Sequence, residues 1–153
     1  MIQTLETIIR KHKFFKGLTV KHLKFIAGCA KNERFVAGNT IFVEGDKANM
    51  FYLIQKGEVA LELTMPNQPT SRVQTVNAGE ILGWSWVSPP YQWHFNAKAI
   101  QDVKAIAIDA RCLHAKMEKD HDLGYELLKR FSKLFVERLD ATQVQLLNLT
   151  AGR

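Results

Sequence analysis

The chain has few of the residues that mark exported, membrane-spanning or cluster-binding proteins. Its 153 residues contain only two cysteines, Cys29 and Cys112, which are too few for a disulfide scaffold or for the roughly four thiolates of an iron–sulfur cluster. No apolar run approaches the roughly 20 residues of a membrane-spanning helix. Glu6 falls where a signal peptide would have an apolar core. We therefore expect a cytoplasmic protein with reduced cysteines and no membrane partner.

Motifs of catalysis and metal binding are absent from the sequence as well. The five histidines never form His-x-His or His-Glu-x-x-His, and there is no Gly-x-Ser-x-Gly and no Walker loop. Cys112 and His114 are close in sequence, and we interpret them as packing and surface residues. A cupin metalloenzyme would need clustered ligands. The sequence thus predicts a protein that is not an enzyme, with no catalytic residue, no metal site and no cofactor.

The net charge of +6 is unevenly distributed along the chain. Residues 1–34 carry eight basic against two acidic residues, residues 35–109 five against seven, and residues 110–153 eight against six. A basic end can attract nucleic acid, acidic lipid or an acidic protein, although a solvated helix face has the same composition. We take an acidic protein partner at the N-terminal helices as a hypothesis.

Hydrophobic periodicity divides the chain, which we expect to be a single domain over 1–153, into three zones. In residues 1–34, apolar side chains recur at helical spacing from Ile2 onward, and Thr19 is a predicted N-cap. Residues 35–109 alternate short apolar runs with glycine and asparagine turns, which predicts a small antiparallel sandwich or jelly roll. No helix-length segment separates the strands, so a parallel sheet is disfavoured. The predicted strands are 34–37, 40–43, 50–55, 58–65, 71–76, 95–100 and 103–109.

The third zone, residues 110–149, is predicted to be helical. Asp109 can cap a short helix, and Asp120 or Asp122 can cap a long helix that runs to about Asn148. Along the long helix, a row of side chains has spacings of 4, 3, 4 and 3, typical of a coiled-coil seam. The row is Phe135, Leu139, Thr142, Leu146 and Leu149. We therefore expect a homodimer through this helix, the alternative being a helix that packs only on its own domain. The predicted fold class is mainly β with flanking α.

Three glycine-punctuated segments carry a resemblance to a known family. Residues 38–46 read Gly-Asn-Thr-Ile-Phe-Val-Glu-Gly-Asp, residues 51–59 read Phe-Tyr-Leu-Ile-Gln-Lys-Gly-Glu-Val, and residues 76–83 read Val-Asn-Ala-Gly-Glu-Ile-Leu-Gly. Over residues 14–149 the chain resembles the cyclic nucleotide-binding domain of the catabolite-activator (Crp/Fnr-type) regulators, protein kinase regulatory subunits and gated channels. The resemblance implies an antiparallel β jelly roll between N-terminal helices and a long C-terminal dimerisation helix.

The resemblance also implies a phosphate-binding cassette, and here the sequence departs from it. The family's cassette begins Phe-Gly-Glu and ends Arg-x-Ala; the Glu binds the ribose and the Arg holds the cyclic phosphate. Aligned on Gly83, Trp84 stands in place of the Glu; aligned on Ala97, Phe95 stands in place of the Arg. Residues 73–97 contain no Arg or Lys. Because hydrogen bonds to charged groups contribute about 1.5–3 kcal/mol each, we expect no tight binding of cAMP.

Aromatic residues occupy this divergent stretch instead. All three tryptophans fall within residues 84–95, together with Tyr91 and Phe95, and the stretch resembles a family of bacterial single-domain proteins with this fold. Aromatic side chains stack on flat ligands, so one interpretation is a pocket for a non-standard small ligand; the other is that the aromatics fill the nucleotide pocket. The predicted pocket residues are Gly83, Trp84, Ser85, Trp86, Trp93, His94, Phe95, Asn96, Ala97 and, on the C-terminal helix, Thr142.

The expected function is that of a non-catalytic sensor or regulatory module. Full Crp/Fnr-type regulators continue past the long helix into a helix-turn-helix domain, whereas this chain stops at Arg153, about where that domain would begin. We therefore expect no direct DNA binding unless the chain is a fragment of a longer regulator. The alternatives are a cAMP- or cGMP-binding effector domain of a transcription regulator, and a ligand-free scaffold for protein interactions.

Overall fold

The computed structural model describes residues 4–152, which form two compact units, one ending at Ala115 and one beginning at Lys116. Ile2, the first apolar residue of the predicted N-terminal helical pattern, lies outside the described residues. The unit that ends at Ala115 holds two β-sheets and the N-terminal helices, and the other holds one long helix. The expectation of one domain over 1–153 stays a prediction.

The N-terminal helices begin at residues that can cap them. Helix α1 (Leu5–Lys11) is followed by a short 3-10 helix (Lys13–Phe15) and by α2 (Val20–Gly28). The Thr19 hydroxyl accepts a hydrogen bond from the His22 N–H at 3.2 Å, which satisfies one of the free donors of the first turn. The predicted N-cap at Thr19 is confirmed.

Strand structure begins earlier than the periodicity predicted. Strand β1 (Ala30–Phe35) occupies the end of the 1–34 zone, so the prediction of a purely helical zone is wrong there. The strand is mostly polar and lies at a sheet edge, where it pairs antiparallel with β8 (Val103–Asp109) and places Ala30 opposite Ile108. That partner is distant in sequence, and a polar edge strand has little apolar alternation by which it could be found.

The cations of the N-terminal helices all face solvent. Six of them lie between α1 and the middle of α2, and each is exposed: Arg10, Lys11, Lys13, Lys16, Lys21 and Lys24. An acidic protein partner at these helices stays a prediction.

Within residues 4–152, eight strands form two four-stranded antiparallel sheets, as the predicted jelly roll requires. One sheet has the order β1-β8-β3-β6 and the other β2-β7-β4-β5. The remaining strands are β2 (Thr40–Phe42), β3 (Met50–Lys56), β4 (Val59–Leu63), β5 (Ser71–Val76), β6 (Ile81–Leu82) and β7 (Asn96–Ala99). The sequence missed β6, whose two residues are too few to show a period. The central strands β3 and β8 are almost continuously buried, and together they form the middle of the core.

The expectation of two reduced cysteines is wrong, because Cys29 and Cys112 form a disulfide. They are 83 residues apart in sequence, yet their Cα atoms are 5.9 Å apart, within the range that a disulfide spans. Pairing of β1 with β8 explains this proximity, since it brings the end of α2 beside the start of α3 (Ala110–Met117).

The C-terminal helices confirm the predicted caps. Asp109 accepts the backbone N–H of Arg111 at 2.9 Å, and Asp120 caps α4 (His121–Ala151) by accepting the N–H of Leu123 at 3.2 Å. From Leu139 to its end, α4 is exposed throughout. Within the described residues, no helix is both long enough and apolar enough to cross a membrane.

Candidate ligand-binding site

The segment between β6 and β7, residues 83–95, is an irregular loop that the backbone holds in place. We call it the aromatic segment. The backbone N–H of Trp93 donates to the Asp46 carbonyl, and the Trp93 carbonyl accepts the Gly45 N–H, both at 2.9 Å. The Tyr91 carbonyl accepts the backbone N–H of Ala48 at 2.7 Å. These bonds attach the aromatic segment to the glycine turn that follows β2, so a turn motif distant in sequence sets the position of the tryptophans.

Trp93 is a wall of the site and is itself almost wholly buried. Its ring stacks on Phe42 with centroids 3.7 Å apart and planes 7° apart. The ring also approaches Gly83, where an added Cβ would lie 2.8 Å from the indole Cη2. Gly83 also has a φ of +95°, which side chains rarely adopt. A larger residue at 83 would therefore displace the Trp93 ring.

Trp86 has a different environment from the other two tryptophans. It is fully buried and stacks on Phe51 of β3, with centroids 5.1 Å apart. The structure thus places Trp86 in the core under the aromatic segment, as a packing residue. Trp86 therefore anchors the aromatic segment in the core and does not line the cavity.

A shallow cavity lies beside the aromatic segment; its volume is about 20 Å³, or about 290 Å³ when the open space at its mouth is counted. Eight residues line it: Phe42, Leu61, Gly83, Trp84, Ser85, Trp93, His94 and Phe95. Four of the eight are Phe or Trp, and none is Arg, Lys, Asp or Glu. The Ser85 hydroxyl and the His94 imidazole are the polar side chains of this lining. Such a wall favours a flat apolar molecule with one or two polar atoms.

The structure brings six of the ten predicted pocket residues to the cavity and gives the other four different positions. Asn96 accepts the Glu44 N–H at 2.8 Å, and Ala97 is buried in β7. Thr142 is exposed on α4, and its hydroxyl donates to the Arg138 carbonyl at 2.8 Å. Trp86 lies in the core, as described above.

Phe42 and Leu61 also line the cavity, although no local sequence pattern pointed to them. Both are opposite Ala97 in the sheet register, Phe42 from β2 and Leu61 from β4. Because Ala97 closes the segment that resembles the cassette, a correct register for β7 would have found both residues.

His114 contacts the aromatic segment from α3, although its sequence neighbourhood indicated only packing and surface. Its Nε2 lies 2.6 Å from the Trp86 carbonyl oxygen. Its ring meets the Trp86 ring edge-on at 5.3 Å and the Tyr91 ring at 5.0 Å. In the described part of the chain, no group of three or more His, Cys, Asp or Glu residues is placed to hold a metal ion.

Comparison with known families and structures gives a consistent result. The model of the family described as the cyclic nucleotide-binding domain matches residues 32–120. A Geobacter metallireducens GS-15 protein named for cyclic nucleotide binding is 30% identical, with a TM-score of 0.80, covering 91% of this chain and 99% of that one. A cyclic nucleotide-binding domain from Methylobacillus flagellatus KT is 21% identical with a TM-score of 0.78, covering 94% of this chain and 80% of the other.

A relative with an assigned role is more distant. The CRP-like cAMP-activated global transcriptional regulator of Mycobacterium tuberculosis is 20% identical over 125 residues, which are 82% of this chain. The match spans 56% of the length of that regulator.

Proposed function

This chain belongs to the cyclic nucleotide-binding domain family, and on that premise we propose that it is a non-catalytic regulatory module whose ligand is a small, flat, largely apolar molecule. The cavity beside the aromatic segment is the proposed binding site. The observation that carries the proposal is the lining itself, which is rich in aromatic side chains and contains no Arg or Lys that could hold a cyclic phosphate.

Polarity supports this class of ligand, whereas size restricts where the ligand can lie. The cavity proper is only about 20 Å³, well below the roughly 300–1,000 Å³ of ligand pockets, so a flat ligand would lie against the aromatic walls at the open mouth. Stacking between aromatic rings contributes about 0.5–1.5 kcal/mol per pair beyond the burial of area. Trp84 and Phe95 line the cavity and are half-buried, so part of each side chain is accessible to a ligand. Ser85 and His94 supply the polar contacts that orient such a ring.

A titration that compares cAMP with adenosine tests whether the phosphate contributes to binding. We expect the two to bind about equally, because none of the lining residues is Arg or Lys, and we expect indole to change the tryptophan fluorescence. The measurement is calorimetry together with fluorescence, using cAMP, cGMP, adenosine and indole. Tenfold or tighter binding of cAMP than of adenosine would identify an ordinary cyclic nucleotide effector domain and overturn the proposal. If none of the four compounds binds, the result would support the ligand-free scaffold.

Two variants at one position separate a ligand contact from a structural effect. Trp84→Ala removes the ring and is expected to weaken indole binding at least tenfold, whereas Trp84→Phe retains a ring and should lose less than threefold. Equal losses in the two variants, with unchanged circular dichroism, would show that stacking at Trp84 is not the source of affinity.

We further propose that the module is a homodimer through α4. The apolar members of the predicted seam are exposed in the described chain, with Leu139 57% and Leu146 63% exposed. Side chains at coiled-coil spacing on an exposed helix are stabilised by a second copy of that helix.

Charge placed on the seam should abolish the dimer. Leu139→Glu combined with Leu146→Glu buries two carboxylates per chain at such an interface, which is costly without partners. We expect sedimentation at about 10 μM to give twice the 17.5 kDa chain mass for the parent and the chain mass for the variant. Ala141→Glu, off the seam on the same helix, is the control and should stay dimeric. A parent that sediments as a monomer would refute the dimer.

A further inference from the structure

Helix α3 connects the disulfide to the aromatic segment. Cys112 is bonded to Cys29 at the C-terminal end of α2, and two residues further along, His114 contacts the aromatic segment. Residues i and i+2 of a helix point about 200° apart, so the two attachments are on different sides of α3. A change at one side of such a short helix changes its position at the other.

The attachment at His114 is specific. A carbonyl oxygen only accepts hydrogen bonds, so the His114 Nε2 carries the proton and donates to Trp86 O at 2.6 Å. The carbonyl belongs to the residue directly after Trp84 and Ser85, both of which line the cavity. Tyr91, at the other end of the same loop, packs on the same imidazole at 5.0 Å. The His114 side chain of α3 thus contacts the aromatic segment at two places, Trp86 and Tyr91.

The attachment at Cys112 depends on oxidation state. A disulfide holds its two sulfurs about 2.0 Å apart, whereas non-bonded atoms of this size separate to about 3.5–4 Å. Reduction therefore removes the covalent bond between the end of α2 and the first turn of α3, and the freed sulfurs separate by side-chain rotation or by a shift of α3. The backbone at Cys29 is held in place, because its carbonyl accepts the Asp109 N–H at 2.9 Å and β1 pairs with β8 along its whole length, so α3 is the element that is released.

We propose that Cys29 and Cys112 form a thiol–disulfide switch that sets the geometry of the aromatic pocket through His114. The proposal rests on the proposed function in taking that pocket as the ligand site. The oxidised form holds α3 against the aromatic segment; the reduced form releases α3 and loosens the hydrogen bond to Trp86.

The chemistry needs a low-molecular-weight disulfide, such as oxidised glutathione, as oxidant. The thiolate of Cys112, the less buried of the two residues, attacks one sulfur of the oxidant, and a mixed disulfide forms as one thiol leaves. The thiolate of Cys29 then displaces the second thiol and closes the protein disulfide. The pair loses two electrons and two protons, and the oxidant becomes two thiols.

Indole N–H signals of the three tryptophans, measured by NMR on the full chain, test the coupling without any ligand. We expect the signals of Trp84 and Trp86 to shift on reduction with dithiothreitol, while mass spectrometry after alkylation counts two new thiols. Indole affinity should differ at least threefold between the two forms. A failure of indole to bind would count against the proposed ligand class, whereas the NMR shifts test the switch by themselves.

Variants at His114 test whether this residue transmits the change at the disulfide to the aromatic segment or only packs against it. His114→Ala should still gain two thiols on reduction, but its tryptophan signals should not respond. His114→Gln, whose side-chain N–H can donate to the same carbonyl, should restore the response. Reduction that leaves the tryptophan signals of the parent unchanged would overturn the proposal. Two free thiols after treatment with oxidised glutathione, or a full response in His114→Ala, would do the same.

Discussion

Replacement of Trp93 by alanine is expected to lower the free energy of unfolding by about 3–5 kcal/mol, the usual cost of removing a large buried aromatic side chain. The ring is 5% exposed, stacks on Phe42 at 3.7 Å and fills the space above Gly83. The structure cannot collapse into the vacancy, because the backbone of Trp93 is bonded to the turn at Asp46. Urea unfolding followed by circular dichroism measures the loss.

Two comparisons make this prediction specific to the buried ring. Trp84→Ala removes the same side chain from a half-buried position in the same segment and should cost about 1 kcal/mol, near the average for point substitutions. Added indole should raise the melting temperature of Trp93→Ala more than that of the parent, since a ligand that binds only the folded state stabilises it. Similar losses for Trp84→Ala and Trp93→Ala would contradict the placement of Trp93 as a wall of the site.

Local sequence signals predicted the parts of the fold that depend on neighbouring residues. Thr19, Asp109 and Asp120 cap helices because a short polar side chain before an amphipathic run can satisfy the free N–H groups of the first turn. The antiparallel strands were found because apolar runs separated by turn residues define them. The expectation that Trp84 and Phe95 replace the Glu and Arg of the cassette required only a comparison of residue types, and it stays a prediction.

Features that depend on register could not be read in the same way. The disulfide follows from the pairing of β1 with β8, and Phe42 and Leu61 reach the cavity through their register with Ala97. His114 and Trp86 are 28 residues apart in the sequence, and no local pattern indicates that they are in contact. Long-range pairing is fixed by the whole core, so single segments carry little information about it.

Gly57→Ala is expected to destabilise the protein by about 3 kcal/mol or more, among the larger effects of a single substitution. The residue joins β3 to β4 at a φ of +92°, and a Cβ there would clash with the Asp102 carbonyl oxygen and lie 3.1 Å from the Val103 Cα. These are backbone atoms of the residue before β8 and of its first residue, and β8 pairs with β1 and β3. The clash can therefore be relieved only by breaking part of the central ladder.

Gly79→Ala separates the clash from the cost of the backbone conformation. Gly79 has nearly the same φ, +88°, but an added Cβ there meets nothing within 4 Å. Its substitution should cost only the penalty of a left-handed residue, about 1–2 kcal/mol. The difference between the two variants in urea unfolding reports the contact with β8, because the left-handed penalty is common to both. Equal losses would mean that β8 does not approach Gly57 as closely as described, and that the pairing which brings Cys29 to Cys112 needs revision as well.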